Sequence, residues 1–317
     1  MVATVLIPTY HRPKDLARCL EALKKQTRVP DEVLIVVRDS DAETWTLLER
    51  VSPGPLALRT VTVPVPGMVA ALNTGLEAAR GDVIAITDDD AAPHPDWLAR
   101  IEAHFQADPK AGGVGGRDWV RHGEWVEDRA QKTVGKVQWF GRVVGNHHLG
   151  VGNPREVDIL KGVNMSFRRA AVRGVRLDER LDERPGKMGS QPAAIDWFLS
   201  LAVKRAGWKL LYDPAVAVDH YPAPRFDEHG EHQRHQFSAT AYGNEVHNQT
   251  LVLLEHLTPL RRLVFSFWAL TVGSRDAFGL VQWLRFFPRE GSQAGVKLRV
   301  ALKERVEGWR TWRRCGA

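Results

Sequence analysis

"VIAITDDDAAPHPDWLARI", residues 83–101, runs an apolar segment straight into three consecutive aspartates, then two prolines, then a helix-like pattern. VIAIT reads as a buried strand, and Pro95 and Asp96 suit the first turn of a helix reaching about Gln106. Like charges packed at the end of such a strand raise one another's pKa and resist losing water, so the run is costly unless something positive faces it. Taken alone, Asp88, Asp89 and Asp90 could be a turn and helix-cap cluster. Placed after a buried strand, they call for a positive group or ion facing them.

Toward the N-terminus, strand-like runs alternate with helical periodicity. TVLIPTY (4–10) reads as a strand, PKDLARCLEALKKQ (13–26) as an amphipathic helix and DEVLIVVRDS (31–40) as a second strand. AETWTLLERV (42–51) continues as a helix, LALRTVTVP as a strand and GMVAALNTGLEAAR (67–80) as a helix leading into VIAIT. This order implies a mainly parallel sheet with helices on both faces, and right-handed crossovers put the strand C-termini along one edge, where ligands bind. Thr9-Tyr10, Asp39-Ser40-Asp41 and Asp88-Asp89-Asp90 would share that edge.

Toward the C-terminus, KAGGVGGRDWV resembles a further strand, and 122–158 is the least regular stretch. DILKGVNMSFRRAAV follows, then the polar loop RLDERLDERPGKMGSQP, a helix in AAIDWFLSLAVKRAGW ending at Gly207, and a short strand pair in KLLYDPAVAVDHYP. GGVGG (112–116) is no dinucleotide fingerprint, since it follows the Asp run and does not open the first helix. No internal repeat and no phosphate-loop lysine motif is present.

The 317 residues suffice for a large core, as one domain or a domain with an appendage. The cysteines, Cys19 and Cys315, support neither a disulfide framework nor a cysteine zinc site, which suits a reducing cytoplasm. MVATVLIPTY lacks the features of a secretory signal, and the best apolar run, LVFSFWALTVG (263–273), falls short of the ~18 residues that span a bilayer. Net charge is +6, but residues 259–317 hold 12 Lys+Arg and 4 Asp+Glu, leaving 32 against 34 for the rest. The basic character belongs to the tail.

Taken in order, IPTYHRP, EVLIVVRDSD, ALNTGLEAARGDVIAITDDDAAPHPDWL, KGVNMSFRR and DWFLSLAVKRAGWKLLYDPAVAVDH resemble glycosyltransferase family 2 over roughly residues 3–222. The resemblance implies an α/β GT-A fold, a Rossmann-like mixed sheet flanked by helices, over 1–225, with a basic, aromatic-rich helical extension over 226–317. It implies an inverting enzyme that takes a sugar from a nucleotide-diphosphate donor. On this match Pro8, Thr9, Tyr10 and Arg12 surround the base, Asp39 hydrogen-bonds a ring N–H of it, Asp88 and Asp89 lie on the nucleotide-sugar side with Asn73, and Asp90 holds a divalent cation. His220 falls at a second metal or phosphate contact, with a satisfied interior histidine as the lesser reading. Asp196 falls where the family has its base; Gly162, Asn164 and Trp197 fall on the acceptor and sugar side. Two departures stand out: Ile195 replaces the usual Glu before Asp196, and Leu72 replaces the usual Arg before Asn73.

The chemistry matches those residue types. A hard cation, Mn²⁺ or Mg²⁺, offsets the charge left on a departing diphosphate and takes only one or two carboxylates from the protein. Inversion needs one carboxylate to accept the proton of the attacking hydroxyl, and Asp196, otherwise a plain helix N-cap, fits. Burial would raise its pKa while a helix N-terminus and a metal would lower it.

The tail places Leu260, Leu263, Val264, Phe267 and Thr271 at helical spacing beside Arg261 and Arg262, and FGLVQWLRFFPR (278–289) repeats the mixture. Such helices can lie on an anionic membrane surface, which would place the protein in the cytoplasm or on the cytoplasmic face of a membrane; a lid or a homodimer contact are the other readings. No motif supports nucleic-acid binding. His229, His232 and His235 invite a zinc reading but lack a tight fourth ligand, and NQT (248–250) matches a glycosylation triplet without a secretory signal. The acceptor is expected to be a carbohydrate or a polyprenol-linked glycan in surface polysaccharide or glycolipid synthesis. The competing class is a catalytically silent nucleotide-sugar-binding or scaffolding protein on the same fold, kept open by Ile195.

Overall fold

In a computed structural model of the chain, the structure describes residues 1–181, 194–227, 230–232 and 237–315. Two compact units are present, the first formed by Met1–Lys136, Gly145–Glu179 and Asp196–Phe226, the second by Val137–Val144, Arg180–Ile195 and Asp227–Ala317.

The first unit is a mixed α/β sheet of GT-A type. Its main strands are β1 (Ala3–Thr9), β2 (Glu32–Arg38), β3 (Leu58–Val63), β4 (Val83–Thr87), β5 (Ala91–Pro93), β6 (Ala111–His122), β7 (Arg155–Val157), β8 (Asn164–Arg168) and β9 (Lys209–His220), with a two-residue strand, Trp125–Val126, folded back on β6. Helices α1 (Pro13–Lys24), α2 (Ala42–Arg50), α3 (Met68–Ala78) and α4 (Trp97–Ala107) follow the early strands, and α5 (Arg169–Val172) and α6 (Ile195–Arg205) the later ones. The sheet order is β7-β9-β6-β8-β4-β1-β2-β3, with β5 attached to β9.

Alternation along β1 and β2 explains the two-sided cover. Val5, Ile7, Val33, Ile35 and Val37 face a core filled by Leu16, Cys19, Leu20 and Leu23 of α1 and by Trp97, Leu98, Ile101 and Phe105 of α4. Leu6 and Val36 face the other way and meet α3 at Gly75, where an added Cβ would crowd Leu6 and come 3.1 Å from Val36. Each such side chain contributes about 1.5–3 kcal/mol on full burial, so the sheet centre is the stable frame and the polar groups are hung on its ends.

Strand direction decides which polar groups meet. β1, β2, β3 and β4 are mutually parallel. β8 is antiparallel to both β4 and β6, and β9 is parallel to β6. The C-terminal ends of β4, β6 and β9 therefore share one edge with those of β1 and β2.

One element differs from its sequence reading. Residues 209–220 form a single strand paired with β6 on both sides of an irregularity between Asp213 and Val218, and not a strand pair. The register shift between Asp213 and Val218 takes up extra residues without leaving the sheet, as a bulge does.

The second unit is helical, with α7 (Ala239–His256), α8 (Pro259–Thr271), α9 (Leu280–Glu290) and α10 (Ser292–Cys315). Its core gathers Val246, Ala277, Phe278, Ala294 and Ala301. Asn248 of the NQT triplet is 2% exposed and donates to the Leu181 carbonyl at 2.8 Å, so it holds the interior and offers no surface for a glycan. Among the described residues no helix is long and apolar enough to cross a membrane. His229 and His235, and most of the loop over 178–192, lie outside the described residues.

Candidate active site

The turn after β1 forms the first wall. Pro8 and Thr9 are buried and Tyr10 half-buried, and His11 takes a left-handed backbone with φ 53°. That conformation is held by Asp41, whose carboxylate accepts from the His11 N–H at 2.7 Å while capping α2 through Thr44 at 3.1 Å. Asp41 is fully buried and does not join the exposed Asp39. The Asp39 carboxylate stands on the rim beside Arg38 at 3.1 Å.

Asp89 ties this turn to the end of β4. It accepts from Thr9 Oγ1 at 2.8 Å and from the Arg12 guanidinium at 2.9 Å. Burial drives its carboxyl up to about 7, against the pull of Arg12 and with Asp90 adding to the rise. Asp89 and Arg12 are thereby committed to each other, which positions the loop that carries Tyr10.

Asp88 and Asp90 turn toward β9. The register of β5 sets His220 opposite Ala91, and the Tyr221 N–H donates to the Asp90 carbonyl at 2.9 Å. One ligand atom from each of Asp88, Asp90 and His220 lies within 4.8 Å of the others. His220 Nε2 is 3.4 Å from Asp90 and Nδ1 is 3.5 Å from Asp118. These contacts are longer than well-formed hydrogen bonds and involve a ring that is 7% exposed. Burial opposes the charged ring, but the two carboxylates outweigh it and push the imidazole up to about 9. Asp90 and Asp118 are held well below the usual carboxylate range: burial opposes ionisation, and His220 acts on both, aided by the Ala223 N–H at Asp90 and by Lys161 at Asp118. Two carboxylates and an imidazole converging at this spacing fit Mn²⁺ or Mg²⁺, and the nitrogen donor favours Mn²⁺.

Asp118 and Lys161 were not singled out by sequence reasoning. Asp118 is fully buried near the end of β6, facing Val218 of β9 in register, and it pairs with Lys161. Its signal was hidden inside GGVGGRDWV, where the glycines let β6 lie close under β9: a Cβ at Gly116 would sit on the Val216 carbonyl.

Asp196 opens α6. Its carboxylate accepts from the Trp197 N–H at 3.0 Å and from the Gly162 N–H. Burial pushes it up to about 6, with those two N–H groups and the Lys161 charge opposing. Gly162 thus supports the Asp196 carboxylate directly, and Trp197 is half-buried beside it.

The structure does not bring Asn164 and Asn73 into this group. Asn164, 1% exposed, accepts from the Trp97 indole at 2.9 Å and donates to the Val216 carbonyl at 2.8 Å. Asn73 exchanges both amide functions with the Leu177 backbone, at 3.0 and 2.8 Å. Their amides are engaged inside the fold, where each clamps neighbouring segments together.

A family model described as Glycosyl transferase family 2 matches residues 4–175, more than half of the chain and including the Asp88–Asp90 run. The chain belongs to glycosyl transferase family 2. Among curated relatives, a glucosyl-dolichyl phosphate glucuronosyltransferase of Haloferax volcanii is 30% identical over 53% of this chain and 53% of its own length. Chondroitin synthase of Escherichia coli is 31% identical over 37% of this chain and 17% of its own. The chain thus spans about half or less of these curated relatives. Among solved structures, S. aureus TarS 1-349 in complex with UDP-GlcNAc aligns with TM-score 0.61 at 16% identity over 97% of this chain and 81% of that one. The mannosyltransferase PcManGT from Pyrobaculum calidifontis, in complex with GDP-Man and Mn²⁺, aligns with TM-score 0.56 at 17% identity over 96% and 87%. At such identities the likeness establishes the shared fold.

Proposed function

We propose that this chain is a metal-dependent, inverting glycosyltransferase that moves a sugar from a nucleotide-diphosphate donor to a carbohydrate or polyprenol-linked acceptor in surface polysaccharide or glycolipid synthesis. The observation that carries the reading is the convergence of Asp88, Asp90 and His220 at the sheet edge that also holds Tyr10 and Asp39. A divalent cation held by those three would offset the charge that builds on the departing diphosphate.

The protein's own groups do the rest. Pro8, Thr9, Tyr10 and Arg12 shape the base site, with Asp39 on its rim as acceptor for a ring N–H, which suits uracil, thymine or guanine. Asp88 faces the nucleotide-sugar side. Asp196 takes the proton of the acceptor hydroxyl as its oxygen forms the new bond to the anomeric carbon and the bond to the diphosphate oxygen breaks on the opposite face. With burial holding the Asp196 carboxyl near 6, it is ionised at neutral pH yet basic enough to accept a proton. Ile195 is buried and offers no second carboxylate, so Asp196 carries the task alone.

A lipid-linked acceptor agrees with the dolichyl phosphate substrate in the name of the archaeal relative, and puts the site of action at the cytoplasmic face of a membrane. The test is transfer from UDP-, GDP- and dTDP-sugars with Mn²⁺, comparing wild type with Asp196→Asn. Turnover with inverted product, abolished in the variant at unchanged donor affinity, is expected. Donor binding without turnover toward any acceptor would instead support the silent nucleotide-sugar-binding reading.

A further inference from the structure

The largest concentration of exposed apolar side chains among the described residues is on α8 and α9. On α8, Leu260, Leu263, Phe267 and Leu270 are 62%, 67%, 72% and 39% exposed. At about 100° per residue they share an arc of about 80°, opposite the buried Phe265 and Ala269. Helix α9 has no buried residue at all. Its Leu280, Val281, Leu284 and Phe287 point outward, while Trp283 and Phe286 pack on the core of this unit. Side chains of this size at this density exceed the scattered exposure of an ordinary surface and mark an interaction face.

Charge chooses the occupant. Residues 259–290 carry five arginines and two acidic residues. Arg285 and Arg289 are exposed and, on the helical wheel, flank the α9 stripe on the side of Val281. Arg261 donates to the carbonyls of Gln138 and Trp139, both at 3.0 Å, which holds the 58% exposed Trp139 beside the start of α8. A second copy of this chain would meet the same arginines, so self-association sets like charges against one another. An anionic lipid surface supplies both apolar depth and opposite charge, and an aromatic such as Trp139 suits its interface. With 13 and 11 residues the two helices are far too short to span a bilayer but long enough to lie in its plane.

We infer that α8 and α9 form a docking face for anionic lipid surfaces, with the leucines and phenylalanines at the headgroup boundary and the arginines on lipid phosphates. This deepens the lipid-linked acceptor reading by naming the surface that meets the membrane, and its test does not depend on transfer. The full chain is floated with vesicles of phosphatidylcholine alone and with phosphatidylglycerol added. Wild type is expected on the anionic vesicles, with binding that weakens as salt rises. The triple variant Leu263→Ser, Phe267→Ser, Leu284→Ser is expected to bind at least about tenfold more weakly, and Arg285→Gln with Arg289→Gln about tenfold. All five side chains are solvent-facing, so melting and metal-dependent nucleotide binding should match wild type and report separately on the donor site. Failure of wild type to float, or equal binding by the triple variant, would overturn the inference. So would a lipid-free dimer that the triple variant abolishes, which would assign the face to a second copy.

Discussion

The Asp118 carboxylate lies 3.5 Å from Nδ1 of His220, on the side of the ring away from Asp90. A carboxylate behind an imidazole fixes the ring's orientation and directs the proton to one nitrogen, leaving the other for a cation. Asp118→Asn is expected to weaken Mn²⁺ binding about 10–100-fold, measured by the free Mn²⁺ signal in electron paramagnetic resonance. Nitrogen-15 shifts of His220 in the metal-free protein should show an imidazole that gives up its proton at lower pH, because the Asp118 charge that helps to raise it is gone. Unchanged affinity and unchanged shifts would remove Asp118 from this role.

Asp196 gives a pH dependence with a definite sign. Its folded pKa of about 6 lies above the ordinary carboxylate value, so transfer should rise with pH through that point as the base becomes ionised, then level off. The same shift makes the ionised carboxyl costly to the fold: the stability it allows is present at low pH and lost as pH rises through about 6. Asp196→Asn should therefore cut transfer about 10²–10⁴-fold. It should also gain on the order of 2 kcal/mol over wild type between about pH 4 and pH 8, read from denaturant melts. A pH-independent stability difference would contradict the raised pKa.

Asp39 separates nucleotide recognition from stability. Its side chain is half exposed and its contact with Arg38 lies at the surface, so Asp39→Ala should leave the melt within about 0.5 kcal/mol of wild type. Loss of a hydrogen bond to a charged acceptor should weaken nucleotide binding about ten- to hundredfold, measured by calorimetry. Equal affinity would place the base elsewhere.

Two glycines should respond in opposite directions to the same added methyl group. Gly116→Ala would place Cβ on the Val216 carbonyl and 2.5 Å from that of Asp213, forcing β6 from β9 at about 3 kcal/mol or more. Gly295→Ala, in α10 with nothing within 4 Å, should stabilise by about 0.5–1 kcal/mol. Urea unfolding of both variants checks the pair.

The sheet edge was legible because β1, β2 and β4 are buried apolar runs that end in polar residues, a pattern set by the parallel sheet itself. In the tail, α8 and α9 were legible from the spacing of their apolar residues and arginines, whereas the bounds of α7 and α10 were not. What stayed hidden depends on contacts distant in sequence. Nothing local to Asn73 or Asn164 reveals that their amides are spent on Leu177, Trp97 and Val216. Asp118 and Lys161 become a pair only when β6 lies beside β8 and β9, and a Gly-rich strand obscured the first of them. Residues 209–220 read as a strand pair because a proline at a bulge and a proline at a turn look alike along the chain.

The most direct measurement of the central claim is a calorimetric titration of the full chain with UDP, GDP and dTDP, each with Mn²⁺ and again with EDTA, alongside Asp90→Ala. The account predicts that one nucleotide binds, that EDTA abolishes the heat and that Asp90→Ala does not bind. Folded wild-type protein that binds none of them, or binds one equally well with EDTA, would contradict it.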